Sequence, residues 1–293
     1  MTGSGAEDAF VESAREAFRR EPGFAALDAL GVPELFDELA DRDARAALFA
    51  VFRAHGRELG RSARRGDVLV LLGEPTTEHV LVDRPGAGAS LYALADVARE
   101  PVAIAGRLPV HEIAIDEGAA KSRVPEERAV EARRRSAFLG RVAAAHEIVG
   151  AAEGALDLAL GHAVAREQFG VPIGSFQAVR HLLAWARTDC AAALEVSRQA
   201  AALDLAAPPH FDEIAKALAG RNGRRICERS LQVLGAIGFT AEQPHHHFHS
   251  RVLALDAVLG SSAELARGLG AWLRESRTDP QIPRQLLQRE VGP

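Results

Sequence analysis

A mostly α protein in three parts is what this sequence predicts: an N-terminal helical domain over residues 1–65, a reduced β region over 66–124 and a C-terminal antiparallel four-helix bundle over 125–293. Three observations carry that reading. Apolar residues recur at spacings of three to four through both outer parts, as on one face of an α-helix. Between Gly66 and Val124 the texture changes to short extended runs separated by Pro and Gly. The hydrophobic content of 47% is mostly Ala, Leu and Val, with aromatics at 5%, which suits close helix packing better than a large β-sandwich. At 293 residues the chain is long enough for two or three domains and a sizeable core.

From Asp8 to about Arg65 the pattern places Phe10, Ala14 and Phe18 on one face, then Leu27 and Leu30 before a Gly31-Val-Pro33 break. Helix continues over Leu35–Leu39 and Ala44–Leu59, with Ala47, Leu48, Val51, Phe52 and His55 at helical intervals. Asp28 and Asp43 read as cap or surface residues. The extended candidates are Val68–Leu72, His79–Val82, Ser90–Leu94, Val102–Ala105 and Glu112–Ile115. Gly86-Ala-Gly88 precedes a strand candidate and not a helix, which argues against a phosphate-binding loop. The charged stretch Glu126–Arg135 reads as a solvated first turn or linker. Four helices follow near 136–168, 176–205, 210–235 and 245–275, rods of about 40–50 Å at ~1.5 Å per residue. The Pro-containing tail from Asp279 reads as extended.

The chain is organised around Val149–Ala184. Val149, Ala152, Leu156, Leu160 and Val164 line one apolar stripe that must be buried. Arg166-Glu-Gln-Phe169-Gly170 and Val171-Pro172-Ile173-Gly174 stop the helix, and Ser175 offers an N-cap for the next, which opens Phe176-Gln177. A second block runs Gln232-Val-Leu-Gly235-Ala236-Ile-Gly238-Phe239-Thr240-Ala-Glu242-Gln-Pro244. This ordered pair of motifs resembles the C-terminal domain of acyl-CoA dehydrogenases, with strong resemblance over roughly residues 135 to 270. The fold so implied is acyl-CoA dehydrogenase-like with a shortened middle domain. The family's flavin-facing loop of that domain has no counterpart in Leu72–Glu78 or Pro85–Ser90, which read as turns.

The resemblance implies FAD as cofactor. Arg166 would pair with the FAD pyrophosphate of a neighbouring subunit, where a guanidinium suits a bidentate anion. Phe169, Phe176 and Gln177 would line the same region. Gln232 and the backbone at Gly235 and Gly238 would meet the far side, glycine allowing close approach. Ala236 departs from the family's second glycine and adds a Cβ there. The bland alternatives are that Arg166 satisfies a helix C-terminus, that Gln232 is a surface residue and that the phenylalanines are core. The family draws its α-proton base from one of two positions, which fall here at Gly260 and Gly140, and glycine moves no proton. Asp256, one turn before Gly260 and on the same face, is the candidate replacement; pairing with an arginine such as Arg251, or solvation, is its structural alternative.

Other features exclude function classes. The net charge of -5 is evenly spread, the basic residues are almost all arginine beside Lys121 and Lys216, and nucleic acid is not the expected partner. Cys190 and Cys227 are isolated thiols, which make neither a disulfide framework nor a metal quartet and suit a reducing cytosol. His245 and His249 have the i,i+4 spacing of metal ligands with Glu242 nearby, but a polar helix start or an oligomer contact is the default and no metal is expected. The first residues show no basic-then-apolar leader, and no apolar run approaches the ~18 residues of a membrane helix, so a cytoplasmic protein is expected. The expected function is an acyl-CoA dehydrogenase-like flavoprotein acting on an acyl thioester, as a homo-oligomer or with a paired homologous subunit. The alternative is the same fold redeployed for a non-redox step on, or binding of, an acyl or polyketide-like substrate without flavin.

Overall fold

The computed structural model describes residues 2–20, 31, 34–35, 38–59, 79–84, 88–93, 97–102, 110–115, 122–123, 125–203 and 210–276. Readings that fall on Leu27, Asp28, Leu30, Val68–Leu72, Leu72–Glu78 and the tail from Asp279 lie outside them. The fold is mostly α. Helix α1 (Thr2–Arg20) turns Val11, Ala14 and Phe18 inward, at the spacing of one helical face. Helix α2 (Arg42–Arg57) begins at Asp41, whose Oδ1 accepts from the backbone N–H groups of Asp43 and Ala44, both at 2.9 Å. The cap is therefore Asp41, and Asp43 sits in the first turn, where its charge complements the helix dipole.

In the middle region β1 (His79–Arg84) pairs antiparallel with β2 (Gly88–Ala93), which pairs with β5 (Ser122–Arg123). Strands β3 (Val97–Val102) and β4 (Val110–Ile115) form a separate antiparallel pair. Gly88 opens a strand, as a turn glycine does and a phosphate-loop glycine does not.

Helix α3 (Glu126–Ala165) is the spine. It starts at Pro125, about ten residues earlier than the pattern suggested, because Glu126 and Glu127 suit a helix N-terminus and no Gly or Pro interrupts the charged run. By length and composition α3 could cross a bilayer, an apolar stretch that the sequence pattern did not disclose. Here that stretch is the core, packed by α2 and by α4 (Gln177–Ala202), α5 (Phe211–Leu234) and α6 (His245–Ala257). Contact with α2 is main chain to main chain: a Cβ on Gly56 would strike the Glu147 carbonyl, and one on Gly150 the Arg53 carbonyl. The fourth rod is broken. Leu259 and Gly260 both have positive φ, and a separate helix α7 (Ser262–Ser276) follows.

The apolar stripe of α3 is buried only in part. Val149, Ala152 and Leu156 are enclosed, but Leu160 is exposed and Val164 is 75% exposed. Ser175 is not a cap either: its hydroxyl donates to the Pro172 carbonyl at 2.7 Å, and the N-cap of α4 is Phe176, which makes no side-chain cap bond.

Charged groups inside the core link the helices. Arg53 of α2 donates twice to Glu153 of α3, at 2.9 and 2.7 Å. Glu147 accepts from His55 at 3.2 Å and lies 3.5 Å from Arg251 of α6, whose guanidinium also donates to the His55 carbonyl. His146 stacks on Phe49 with ring centroids 5.7 Å apart, and burial pushes its pKa down from the ordinary 6.5 to about 3. The unfolded chain therefore takes up a proton at His146 below pH ~6.5 that the folded chain refuses until near 3. Stability from this group is intact above about 6.5 and falls as pH drops towards 3. In urea titrations at pH 7 and pH 4.5, His146→Leu is expected to lose less stability on acidification than wild type; equal losses would remove His146 from the account.

Candidate functional site

The α3–α4 connection is a small antiparallel hairpin, β6 (Glu167–Gln168) against β7 (Val171–Pro172), closed by Phe169-Gly170. Both turn residues have positive φ, 55° and 79°. Two such residues give the tight turn whose twist matches its strands, and Gly170 adopts that backbone freely. Phe169 does not: a left-handed aromatic costs about 1–2 kcal/mol. Its ring is 93% exposed, touching Phe176 edge-on at 6.2 Å between centroids. Phe169 is therefore not core, and Phe176 is half-buried beside it. Arg166 closes α3 through its backbone, with its N–H donating to the His162 carbonyl and its carbonyl accepting from Ile173 N–H. Its guanidinium has no hydrogen-bond or ion-pair partner among the described residues. The exposed amide of Gln177, the first residue of α4, also has none.

The second block ends α5. Gln232 is exposed and its side chain is likewise without a partner among the described residues. Gly235 holds φ 64° and ψ -141°, a backbone that only glycine adopts readily. Gly238, in the 3-10 turn after α5, packs closely on the end of that helix, since a Cβ there would come within 2.7 Å of Leu231 and 3.0 Å of Leu234. Ala236 is exposed, and Phe239 is 79% exposed. A small core of Ala159, Ala163 and Val233, with Ile173 and Val179 against it, brings the two blocks to the same end of the bundle. That end presents a free guanidinium, two free amides and the apolar faces of Val164, Phe169 and Phe239.

Gly140 lies within α3 and Gly260 in the α6–α7 turn, and the residue after Gly140 is tied to that turn. Arg141, next to Gly140, donates from Nε to the Leu259 carbonyl at 3.1 Å and from Nη1 to Asp212 and Glu213 at 2.9 and 3.2 Å. Asp256 sits under this turn, buried, with Oδ1 accepting from Ser262 N–H at 3.0 Å and Oδ2 accepting from Ser262 Oγ at 3.1 Å. Lys216 Nζ is 3.7 Å from Asp256 Oδ1 and donates to the Asp256 and Gly260 carbonyls at 2.9 and 3.2 Å. Burial, partly offset by Asp256, pushes Lys216 down to about 8. The partners of Asp256 are Lys216 and Ser262, not Arg251, and they give it the task of capping α7 and clasping the α6–α7 turn.

Lys216, Ser262 and Arg141 were not singled out from the sequence. One signal was present for Lys216: it is one of two lysines in a chain whose other basic residues are arginines.

His245 is buried, with its Nε2 paired to the Cys227 carbonyl at 2.9 Å, and its ring lies 5.9 Å from that of His249. Burial lowers both imidazole pKa values. Among the described residues no three metal-ligating side chains converge. Burial raises the thiol pKa of both cysteines, Cys190 to about 12, so neither forms a thiolate readily.

Residues 134–273 match the sequence profile of the acyl-CoA dehydrogenase C-terminal domain. Over 134 residues the chain is 37% identical to acyl-CoA dehydrogenase FadE34 of Mycobacterium tuberculosis; the match takes in 44% of this chain and 18% of that relative, so the chain spans a small part of its length. Among solved structures, a variant of the Tcur3481-Tcur3483 steroid ACAD superposes with a TM-score of 0.75 at 18% identity, covering 94% of this chain and 100% of that one. The ChsE4-ChsE5 complex from Mycobacterium tuberculosis gives 0.68 at 18% identity, covering 94% and 98%. At those identities the structures speak for the fold. Residues 134–273 are thus an acyl-CoA dehydrogenase C-terminal domain, just under half of this chain.

Proposed function

We propose that this protein is one subunit of an acyl-CoA dehydrogenase-type assembly in the cytoplasm, supplying half of an FAD site that a like or related chain completes. One observation carries this reading: Arg166, Gln177 and Gln232 stand exposed without partners at one end of the bundle, around a Phe169 held outward on a strained turn. Such a surface is poor design for an isolated chain and good design for an anionic, partly apolar ligand. FAD, when bound, supplies the hydride acceptor for oxidation of an acyl thioester. Arg166 holds the pyrophosphate through its planar fork of N–H donors, and Gln177 and Gln232 donate to the cofactor's polar edges. Phe169 and Phe176 cover its apolar face, and the glycine backbone at 235 admits it closely. Asp256 keeps the α6–α7 turn in place. The α-proton base is then a carboxylate of the partner chain, because Gly140 and Gly260 stand at both positions from which this chain could offer one.

Arg166→Ala is expected to weaken FAD binding by about 1.5–3 kcal/mol, the scale of a charge-assisted hydrogen bond to an anion. The fold should survive, since the Arg166 side chain makes no internal bond. A fluorescence titration of the assembled protein with FAD checks this, and unchanged affinity in a folded Arg166→Ala protein defeats the pyrophosphate assignment.

A second reading has its own support in the two glycines: a fold turned to a non-redox step on, or binding of, an acyl or polyketide-like substrate has no use for that base. A protein that stays colourless after purification with its partner and mixing with FAD would favour it.

A further inference from the structure

A surface runs from the flavin-facing end along the two helices that carry it. On α4 the exposed residues His181, Trp185, Thr188 and Ala192 follow Gln177 at spacings of three to four, one stripe of a helix. On α5 Arg221, Arg225 and Arg229 lead to Gln232 at the same spacing. The stripes lie side by side and antiparallel. Arg229 donates to the Asp189 carboxylate, Asn222 Nδ2 donates to the Asp189 carbonyl at 3.0 Å, and the Arg229 guanidinium stands 5.9 Å from the centre of the Trp185 ring. Gln177 and Gln232 therefore share one end of the face, and Ala192 and Arg221 the other, about 22 Å along α4 at ~1.5 Å per residue.

The composition of this face is that of an interface, with an aromatic anchor and basic flanks. Trp185 is 58% exposed, yet its ring is held by Arg229, which Asp189 holds in turn. A large aromatic fixed in place before binding is the residue type on which protein contacts concentrate. No Lys, Asp or Glu interrupts the α4 stripe. Arg221 and Arg225 are exposed and have no hydrogen-bond or ion-pair partner among the described residues. Asp189, the carboxylate between the stripes, is already taken by Arg229. Two further carboxylates stand at the margins: Glu195 accepts from Gln199 at 2.8 Å, and Glu228, ~100° round α5 from Arg229, acts on His249 of α6.

We infer that this face seats the partner chain of the proposed flavin site, and that the partner is a different chain with an acidic facing surface, not a second copy of this one. The inference rests on the half-site reading given above. Gln177 and Gln232 begin both stripes, so a chain that completes the site at that end continues along them. Charge decides its kind. A second copy would bring the same arginines and no free carboxylate to the middle of the face, so the guanidiniums would be covered without counter-charges. It would also bring the same Gly140 and Gly260, and so no base. A partner with carboxylates opposite Arg221 and Arg225, and an apolar recess for Trp185, answers the face.

Light scattering with intact-mass analysis, on the assembly purified with its co-expressed partner chain and FAD, tests this. Two different chains are expected in it. Arg221→Glu combined with Arg225→Glu should weaken the assembly at least about tenfold at low salt, because attraction becomes repulsion. Trp185→Ala should weaken it about thirtyfold, as loss of a central anchor does. Both variants change exposed side chains and should fold. The wild-type assembly should also weaken as NaCl rises from about 50 mM to about 500 mM, which needs no variant. Arg166→Ala should lose flavin and keep the assembled mass. An assembly made of this chain alone would overturn the inference, as would a two-chain assembly that either face variant or the salt leaves unmoved. In those cases loss of flavin with Arg166→Ala keeps the half-site reading standing, whereas a chain that stays single in every preparation overturns both.

Discussion

Supplied with FAD and a saturated acyl-CoA, the isolated chain is expected to turn over at least ~10²-fold more slowly than the same chain completed by a carboxylate-bearing partner, because a positioned general base contributes roughly 10²–10⁴-fold. The Arg141 bond to the Leu259 carbonyl ties the α3 turn that holds Gly140 to the α6–α7 turn that holds Gly260. The carboxylates nearby have other partners: Asp212 and Glu213 are held by Arg141, and Asp256 by Ser262 and Lys216. Asp256→Asn should accordingly cost about 1–3 kcal/mol of stability through the α6–α7 turn and leave any residual rate unchanged. Restoring a base at Gly260 is confounded, since its φ of 98° strains any side chain and a Cβ would come within 2.9 Å of Leu265. Gly140→Glu keeps an ordinary helical backbone and is the variant expected to raise the rate. Robust turnover by the isolated wild-type chain would defeat the missing-base argument, and its loss in a stable Asp256→Asn protein would make Asp256 the base.

Glu153→Ala should destabilise the fold by about 3–5 kcal/mol, because it takes from the buried Arg53 the carboxylate that accepts two of its hydrogen bonds between α2 and α3. Arg57 would lose a second carboxylate, 3.6 Å away, while keeping Asp157. Replacing both Arg53 and Glu153 by Leu removes the two charges together and should recover most of the loss, since a buried pair is offset largely by its own desolvation. Urea denaturation of the two variants reads the difference as a shift in midpoint at constant m-value. A loss below about 1 kcal/mol for Glu153→Ala would mean that water reaches this pair and that the α2–α3 seam is not dry.

What the sequence made legible was local. Strong 3.6-residue periodicity located the helices, and the Gly170-Pro172 and Gly235–Pro244 breaks located their ends. The misses share a physical cause, that the deciding partner is distant or is one residue aside. Asp41 and Asp43 are equally good caps on paper, and the backbone at position 41 decides between them. Ser175 looks like a cap until its hydroxyl is seen to bond the Pro172 carbonyl inside the turn. The long last helix breaks at Gly260 because Lys216, some 40 residues earlier, and Ser262 close around Asp256. Leu160 and Val164 fit the periodic stripe but emerge beyond the packed helices, so periodicity reported an apolar face without saying what covers it. At the candidate site the motifs were readable as residues. Their freedom from internal partners, which gives them meaning, became visible only in three dimensions.

The central claim is that this surface is half of a site shared between chains. Light scattering with in-line visible absorbance, on protein purified at micromolar concentration with its partner chain and with FAD, tests it most directly. The account predicts an assembly well above the 31.2 kDa of one chain that carries flavin and loses it with Arg166→Ala. A stable species at 31.2 kDa with no flavin absorbance would contradict it.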